Sequence, residues 1–498
     1  SRTTKNQSEY EQRNIVADIQ GSLFELPAGP VQFDVGADYR ADEAFFVPDS
    51  VLSVPDVSRT VDRTGHILVN NAPGVVGFNG QGPVNGFIDV KEAFGEILVP
   101  ILKDVFLVKS LNVDASYRYS DYNTIGGVDT YKVGGDWSPI DMLKVRGGYS
   151  RAVRAPSISE LFSPAANNFP AIGSPGASSA GDPCDSRSTF YRGANAAQVQ
   201  ALCVAQGVPS SVYATYTFPN TQGQAIVGGN KALSEETADT YTIGFVLEPK
   251  FDIPFLRDIS LSVDHYDIKI ANFISAPDEP TFLKRCFNAS GDNPSYSNTN
   301  QFCAPVNRDP TSGQLTGFIA VNQNLAKVQT TGTDFQFDWR VGLDEFGLSS
   351  AFGSLTLNVQ GTHLDTFEVA ALPGDAAVDF AGTIGNTFVS STEVAHPDWK
   401  WTSNLLYNVG PFQVGFRWRD IAEMTGTGGI AGLIAKQKDY YDLTARYDIT
   451  DNLELRASIL NLTNVAPAYL PPGIQANTDP GTYDVAGRRY TVSLTAKY

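Results

Sequence analysis

Apolar and polar residues alternate along this chain from end to end. Apolar positions recur at Val31, Phe33, Val35, Ala37 and Tyr39, at Leu111, Val113, Ala115, Tyr117 and Tyr119, and at Phe335, Phe337, Trp339 and Val341. They return at Phe412, Val414, Phe416 and Trp418 and at Tyr490, Val492, Leu494, Ala496 and Tyr498. Gln32, Asp34, Asp38 and Arg40 fill the gaps in the first run, and Asp334, Gln336, Asp338 and Arg340 those in the third. A period of two is the signature of a strand with one apolar and one polar face. It predicts 15 strands, at 11–24, 30–41, 84–98, 105–121, 126–137, 142–154, 235–248, 258–272, 325–340, 353–368, 397–408, 411–424, 437–448, 452–462 and 486–498.

Connections between these strands alternate in length. Short turns such as LPAGP, SPID, VGP and ITDN stand on one side, and long loops at 42–83, 155–232, 273–324, 370–396, 425–436 and 463–485 on the other, with 122–125 the short exception. The strands outrun the ~5–6 residues usual in globular sheets. Five outward residues, at ~3.3 Å per position and a tilt of ~40°, give an apolar band close to the ~25 Å of a barrel wall. No apolar run approaches the length of a spanning helix, and in lipid only helices and closed barrels satisfy every backbone group. The expected fold is therefore all-β, a transmembrane antiparallel barrel with long extracellular loops.

Composition sharpens this. Only 18% of the 498 residues are charged, the net charge is −18, and Gly (45), Tyr (21) and Phe (29) are abundant, as many turns and one-sided strands require. Acidity without a basic run argues against nucleic acid or anionic lipid as a partner. Four cysteines fall as two local pairs, Cys184 with Cys203 and Cys286 with Cys303, each inside a long polar loop. That spacing suits two loop-closing disulfides in an oxidising compartment, with unrelated free thiols as the alternative. Zinc is disfavoured, since no CxxC is present and His66, His265, His363 and His396 are scattered. No catalytic constellation, P-loop or HExxH occurs, so neither an enzyme nor a cofactor is expected. The sequons at Asn288 and Asn461 carry little weight.

One strand ends in GGYSRAVRAPSISELFSP, Gly147 to Pro164. Alternation places Arg151 on the outer face at the level of lipid head groups and Arg154 on the lumen side, with Pro156 stopping the ladder. The bland reading makes both arginines solvated charges at a loop base. Loop 155–232 also carries Phe162, Phe169, Phe190, Tyr191, Tyr213, Tyr216 and Phe218 among neutral polar residues. Flat rings beside neutral hydrogen-bonding groups suit a sugar or a hydrophobic chelate, which makes Phe162, Phe169, Tyr191, Tyr213 and Tyr216 candidate ligand contacts. The competing reading packs these rings into a small loop core around the Cys184–Cys203 link, with a short helix at 194–206. Gly487 reads as a hinge from loop to last strand.

GYSRAVRAPSISELF resembles the strand-end signature GYSRAVRAPNIGELF of TonB-dependent outer-membrane receptors, and LSEETADTYTIG (Leu233–Gly244) is similar to that family's L-x-P-E-x-x-D-T-Y-x-x-G. ILNLTNVAPAYL and GRRYTVSLTAKY resemble its closing strands, and Tyr498 keeps its terminal aromatic. The resemblance runs from about residue 11 to the last residue. Glu235 replaces the family's proline, an exchange expected to loosen that loop base. The resemblance implies an outer-membrane active-transport receptor that binds a scarce or bulky nutrient, a carbohydrate or siderophore-type chelate, for TonB-energised import. It also implies a barrel of about 22 strands filled by an N-terminal plug. Residues 1–498 would then be the C-terminal portion of that barrel, with its C-terminus in the periplasm. Outer-membrane lipid surrounds it, and a companion segment supplies the plug, about seven strands and, through the plug, contact with TonB. A passive porin and a surface-assembly or adhesion barrel holding a protein partner are the alternatives.

Overall fold

In the computed structural model, residues 4–50, 52, 59–61, 67–69, 82–175, 180–276, 279–372, 374–386, 394–471 and 477–497 are described. Fifteen long strands form the wall: β1 (Gln7–Leu26), β2 (Gly29–Val47), β3 (Val84–Val105), β4 (Val108–Tyr122), β5 (Gly126–Ile140), β6 (Leu143–Arg154), β7 (Glu236–Leu247), β8 (Asp258–Ser275), β9 (Gln323–Gly342), β10 (Ser354–Ala370), β11 (Trp399–Val409), β12 (Phe412–Ile421), β13 (Lys438–Thr450), β14 (Leu453–Leu460) and β15 (Arg489–Ala496). Each expected strand is present. They pair in sequence order into one antiparallel sheet. Tyr498 lies outside the described residues, as do Ser1 and most of 51–81.

Register fixes the faces, because directly paired residues share a side. Leu357 faces Leu405, Leu405 faces Phe416, Phe416 faces Leu443, and Leu443 faces Ile459. This continuous belt is open to the surroundings; Ile243 on it is 63% exposed and Val133 53%. The opposite face is polar and cross-linked. Arg146 grips Asp264 through two hydrogen bonds of 2.6 and 2.7 Å, Arg118 meets Glu92 at 3.0 Å, and Asn358 donates to Asp338 at 2.7 Å. Apolar outside and polar inside is the inverse of a soluble domain and the arrangement of a barrel wall in lipid.

Buried apolar clusters lie instead in the long loops, which all leave from one rim. The largest joins 155–235 to 276–322, and a second gathers Ile384, Met424, Ile430, Tyr440 and Leu470. Among the described residues no pairing joins β1 to β15, and β1 is exposed along nearly its whole length.

Candidate functional site

The two sequence signatures are neighbours. β6 and β7 pair so that Arg154 stands opposite Glu236 and Arg151 opposite Asp239. On the lumen side, the Arg154 guanidinium donates to both Glu236 oxygens at 2.6 and 2.7 Å and to both Glu160 oxygens at 2.9 and 3.0 Å. Glu160 sits on α1 (Ile158–Phe162), whose Ser157 cap forms a reciprocal box with it. Burial would raise the Glu160 carboxyl, but hydrogen bonds from Arg154 and Ser157 outweigh it and hold it below the usual carboxylate range. Glu236 also accepts from the Ile274 amide at 2.7 Å, so one arginine ties β6, α1, β7 and β8 together.

That knot lays α1 against the upper end of β3. Gly86 makes the approach possible, since a Cβ there would come within 2.3 Å of Ile158 Cγ2. A cavity of about 880 Å³ opens beside it, lined among others by Tyr10, Arg40, Asp42, Tyr122 and Arg154. On the outer face, Tyr131, Tyr149 and Tyr241 form a row, the Tyr149 hydroxyl donates to Asp239 at 2.6 Å, and Arg151 lies 3.8 Å from the same carboxylate. Arg151 and Arg154 thus occupy the two faces expected from alternation, and both are paired.

Above the knot the two cysteine loops merge into one body. Cys184–Cys203 and Cys286–Cys303 are both disulfide-bonded. α2 (Ala196–Gln206) packs Val199 and Leu202 into the shared core, and α3 (Glu279–Cys286) adds Phe282 and Leu283. A four-stranded sheet interleaves the loops in the order 306–308, 315–319, 225–227, 166–168. At the end of its edge strand 306–308, Arg308 meets Asp182; both side chains are fully buried and form a two-pronged ion pair at 2.7 Å per bond. Tyr216 donates to Asp182 at 2.8 Å, Arg308 donates to Gln206 at 3.1 Å, and Gln206 reaches Cys286 Sγ at 3.1 Å. Every charge in the network has a partner, as burial demands.

The candidate ligand aromatics divide. Tyr213 and Tyr216 are buried in this core, Tyr191 stacks on Tyr213 with centroids 4.9 Å apart, and burial pushes the Tyr213 hydroxyl up to about 12. Phe162 packs beside Leu161 and Ile88 with Lys231 over its ring, and Phe169 keeps an exposed face. The loop-core reading therefore describes Tyr191, Tyr213 and Tyr216, and the expected 194–206 helix is α2. Sequence reading missed Asp182 and Arg308, which carry no local pattern; only their place beside Cys184 and within the second cysteine loop hints at them.

Asn324 holds the loop base at Ser234, beside Glu235: it accepts from the Ser234 amide at 2.9 Å and donates to its carbonyl at 3.0 Å. Asn461 is fully buried, bonded to both backbone groups of Val465, and serves a turn. Gly487 adopts φ +70°, which a hinge of this kind requires. Among the described residues no group of His, Cys, Asp and Glu is placed to hold a metal ion.

The profile of the family described as TonB dependent receptor-like, beta-barrel, matches residues 2–462. This chain belongs to the TonB-dependent receptor family. Solved receptor structures share its fold: the siderophore receptor PirA from Acinetobacter baumannii has a TM-score of 0.55 at 14% identity, covering 99% of this chain and 55% of that one. The ferric enterobactin receptor PfeA from Pseudomonas aeruginosa, solved with BCV-L6, has a TM-score of 0.59 at 12% identity, covering 98% and 54%. The chain thus spans about half the length of these receptors. No curated protein sequence matches it. The family is one of outer-membrane β-barrel transport receptors, not of enzymes.

Proposed function

We infer that this chain is the C-terminal barrel portion of an energised importer that captures a scarce, bulky nutrient at the cell surface, a siderophore-type chelate or a carbohydrate, and passes it through the lumen. The observation that carries this reading is the disulfide-stapled cap anchored by the Arg154 knot over a polar-walled lumen. A rigid cap preorganises a binding surface at low entropic cost, and the hydrogen-bonding wall suits a filling domain and a hydrated path. The long-loop rim is then extracellular and the C-terminus periplasmic. Phe169 and the edges of Phe162 and Tyr191 are the cap aromatics left to meet a ligand, while Tyr213 and Tyr216 act by holding the cap. PirA and PfeA, whose names mark them as siderophore receptors, favour the chelate over the carbohydrate.

A companion segment belongs to the same reading. Fifteen antiparallel strands leave the first and last running in the same direction, and open edges in lipid would strand backbone groups at several kcal/mol each. A plug and about seven further strands fill the gap, and TonB acts through that plug.

Uptake of labelled ferric chelates and oligosaccharides by cells carrying the whole receptor, with and without TonB, tests the reading. Uptake that vanishes without TonB is expected. TonB-independent flux of small solutes marks a porin, and surface capture of a protein without uptake an adhesion barrel.

A further inference from the structure

Three outward aromatics at the short-turn rim share one geometry. Trp137 Nε1 donates to the Leu107 carbonyl at 3.0 Å, Trp339 Nε1 to the Phe255 carbonyl at 2.8 Å, and the Tyr407 hydroxyl to the Phe352 carbonyl at 2.8 Å. In each case a turn joins two strands, and the aromatic stands on the strand after them: β5 for the turn 106–107, β9 for 248–257, β11 for 343–353. All three donors lie on the lipid-facing side, since Trp339 pairs with Ile259, Trp137 with Leu111 and Tyr407 with Leu355. Each bond therefore draws its turn outward beneath the wall rather than inward under the lumen.

The drawn turns carry apolar side chains that nothing in the chain buries. Phe106 is 91% exposed, and Leu107, Phe255, Phe346, Leu348 and Phe352 are exposed as well. Phe255 stacks on Phe346 with centroids 5.4 Å apart, joining the two longer turns into one surface. A soluble rim does not leave such a patch open, and this one is continuous with the lipid-facing belt through the three hydrogen bonds.

We propose that these three turns form an apolar apron seated in the bilayer leaflet next to the short-turn rim, extending the lipid contact of the barrel below its aromatic girdle. The occupant is the head-group and upper acyl region of a phospholipid leaflet, where the amphipathic rings of Trp137, Trp339 and Tyr407 are most stable and the apolar Phe and Leu side chains of the turns leave water. The apron rests on the family's membrane placement and is independent of which solute the receptor carries.

The test uses the whole receptor in phosphatidylethanolamine/phosphatidylglycerol vesicles. Spin labels at Phe106→Cys, Phe346→Cys and Leu348→Cys are compared with Asp451→Cys in the polar turn between β13 and β14. Collisions with dissolved oxygen relative to a water-soluble nickel chelate should be several-fold higher at the three apolar positions. Equal ratios at all four overturn the proposal. In the unmodified protein, labelling from an acyl-chain diazirine should mark peptides spanning 248–257 and 343–353. Label confined to strand peptides overturns it, whether those turns face water or a protein.

Discussion

Arg308 and Asp182 meet end-on through two 2.7 Å hydrogen bonds, although 126 residues separate them in the chain. Removing one partner leaves the other charge buried and unmatched. Asp182→Ala or Arg308→Ala should cost the cap about 3–5 kcal/mol, seen as faster hydrogen exchange in 196–206 and 315–319 with the barrel strands unchanged. Replacing both by apolar residues of similar size, Asp182→Leu with Arg308→Met, should recover much of the loss. A double variant as loose as either single one counts against the ion pair as the link between the loops.

Each disulfide closes a short stretch, of 19 and 17 residues, and constrains the unfolded loop by roughly 3 kcal/mol. Peptide mapping without reductant should find Cys184 with Cys203 and Cys286 with Cys303. Reduction should loosen the cap and leave heat-modifiable migration of the barrel intact; a peptide linking the two loops crosswise refutes the assignment.

Gln336 and Phe337 lie on opposite faces of β9, with Phe337 opposite Leu261 and Val359. Phe337→Arg should impair membrane assembly, by less than the ~2–4 kcal/mol of a mid-plane site because Trp339, two residues on, stands at the short-turn rim, while Gln336→Arg should be accepted. Folding yields into vesicles decide it, and equal tolerance would reverse the register.

His396 stacks on Phe367 at 4.1 Å, and burial lowers its imidazole below the ordinary value despite the opposing charge of Asp479. The unfolded loop therefore takes up a proton before the folded one does. Stability from this group is full above about pH 6.5 and is lost as pH falls from there through the lower folded value. Protection of the 394–396 amides, their exchange divided by the intrinsic rate at each pH, should fall between pH 7.5 and 5.5, and His396→Gln should flatten that response. An unchanged pH response in the variant would clear His396 of the effect.

The wall was legible in the sequence because its physics is local. Alternation at Leu111–Tyr119 or Phe412–Trp418 is imposed by lipid on one side and water on the other, and a slip of one residue would exchange the two. Face assignment follows, which is why alternation alone separates Arg151 from Arg154. The cap was legible only in fragments. Cysteine spacing gave each staple and aromatic content gave a core, but nothing in either loop points to the other. The merger of the loops rests on Asp182 meeting Arg308 and on Ala225 pairing with Phe318, contacts with no periodic trace. Tyr213 and Tyr216 could equally have faced a ligand until their neighbours were known.

The interleaved loop sheet also sets a timetable. Its inner strands, 225–227 and 315–319, run parallel and come from loops separated in sequence by β7 and β8. Closing so long a stretch costs entropy that is repaid only when the distant contacts form. The clasp between the loops must therefore wait for both wall strands to be laid side by side, whereas each cysteine pair can join within its own loop beforehand. The expected order runs from two lobes, each able to oxidise by itself, to a single sealed cap, and a chain arrested before residue 315 should display the first lobe with its partner face bare.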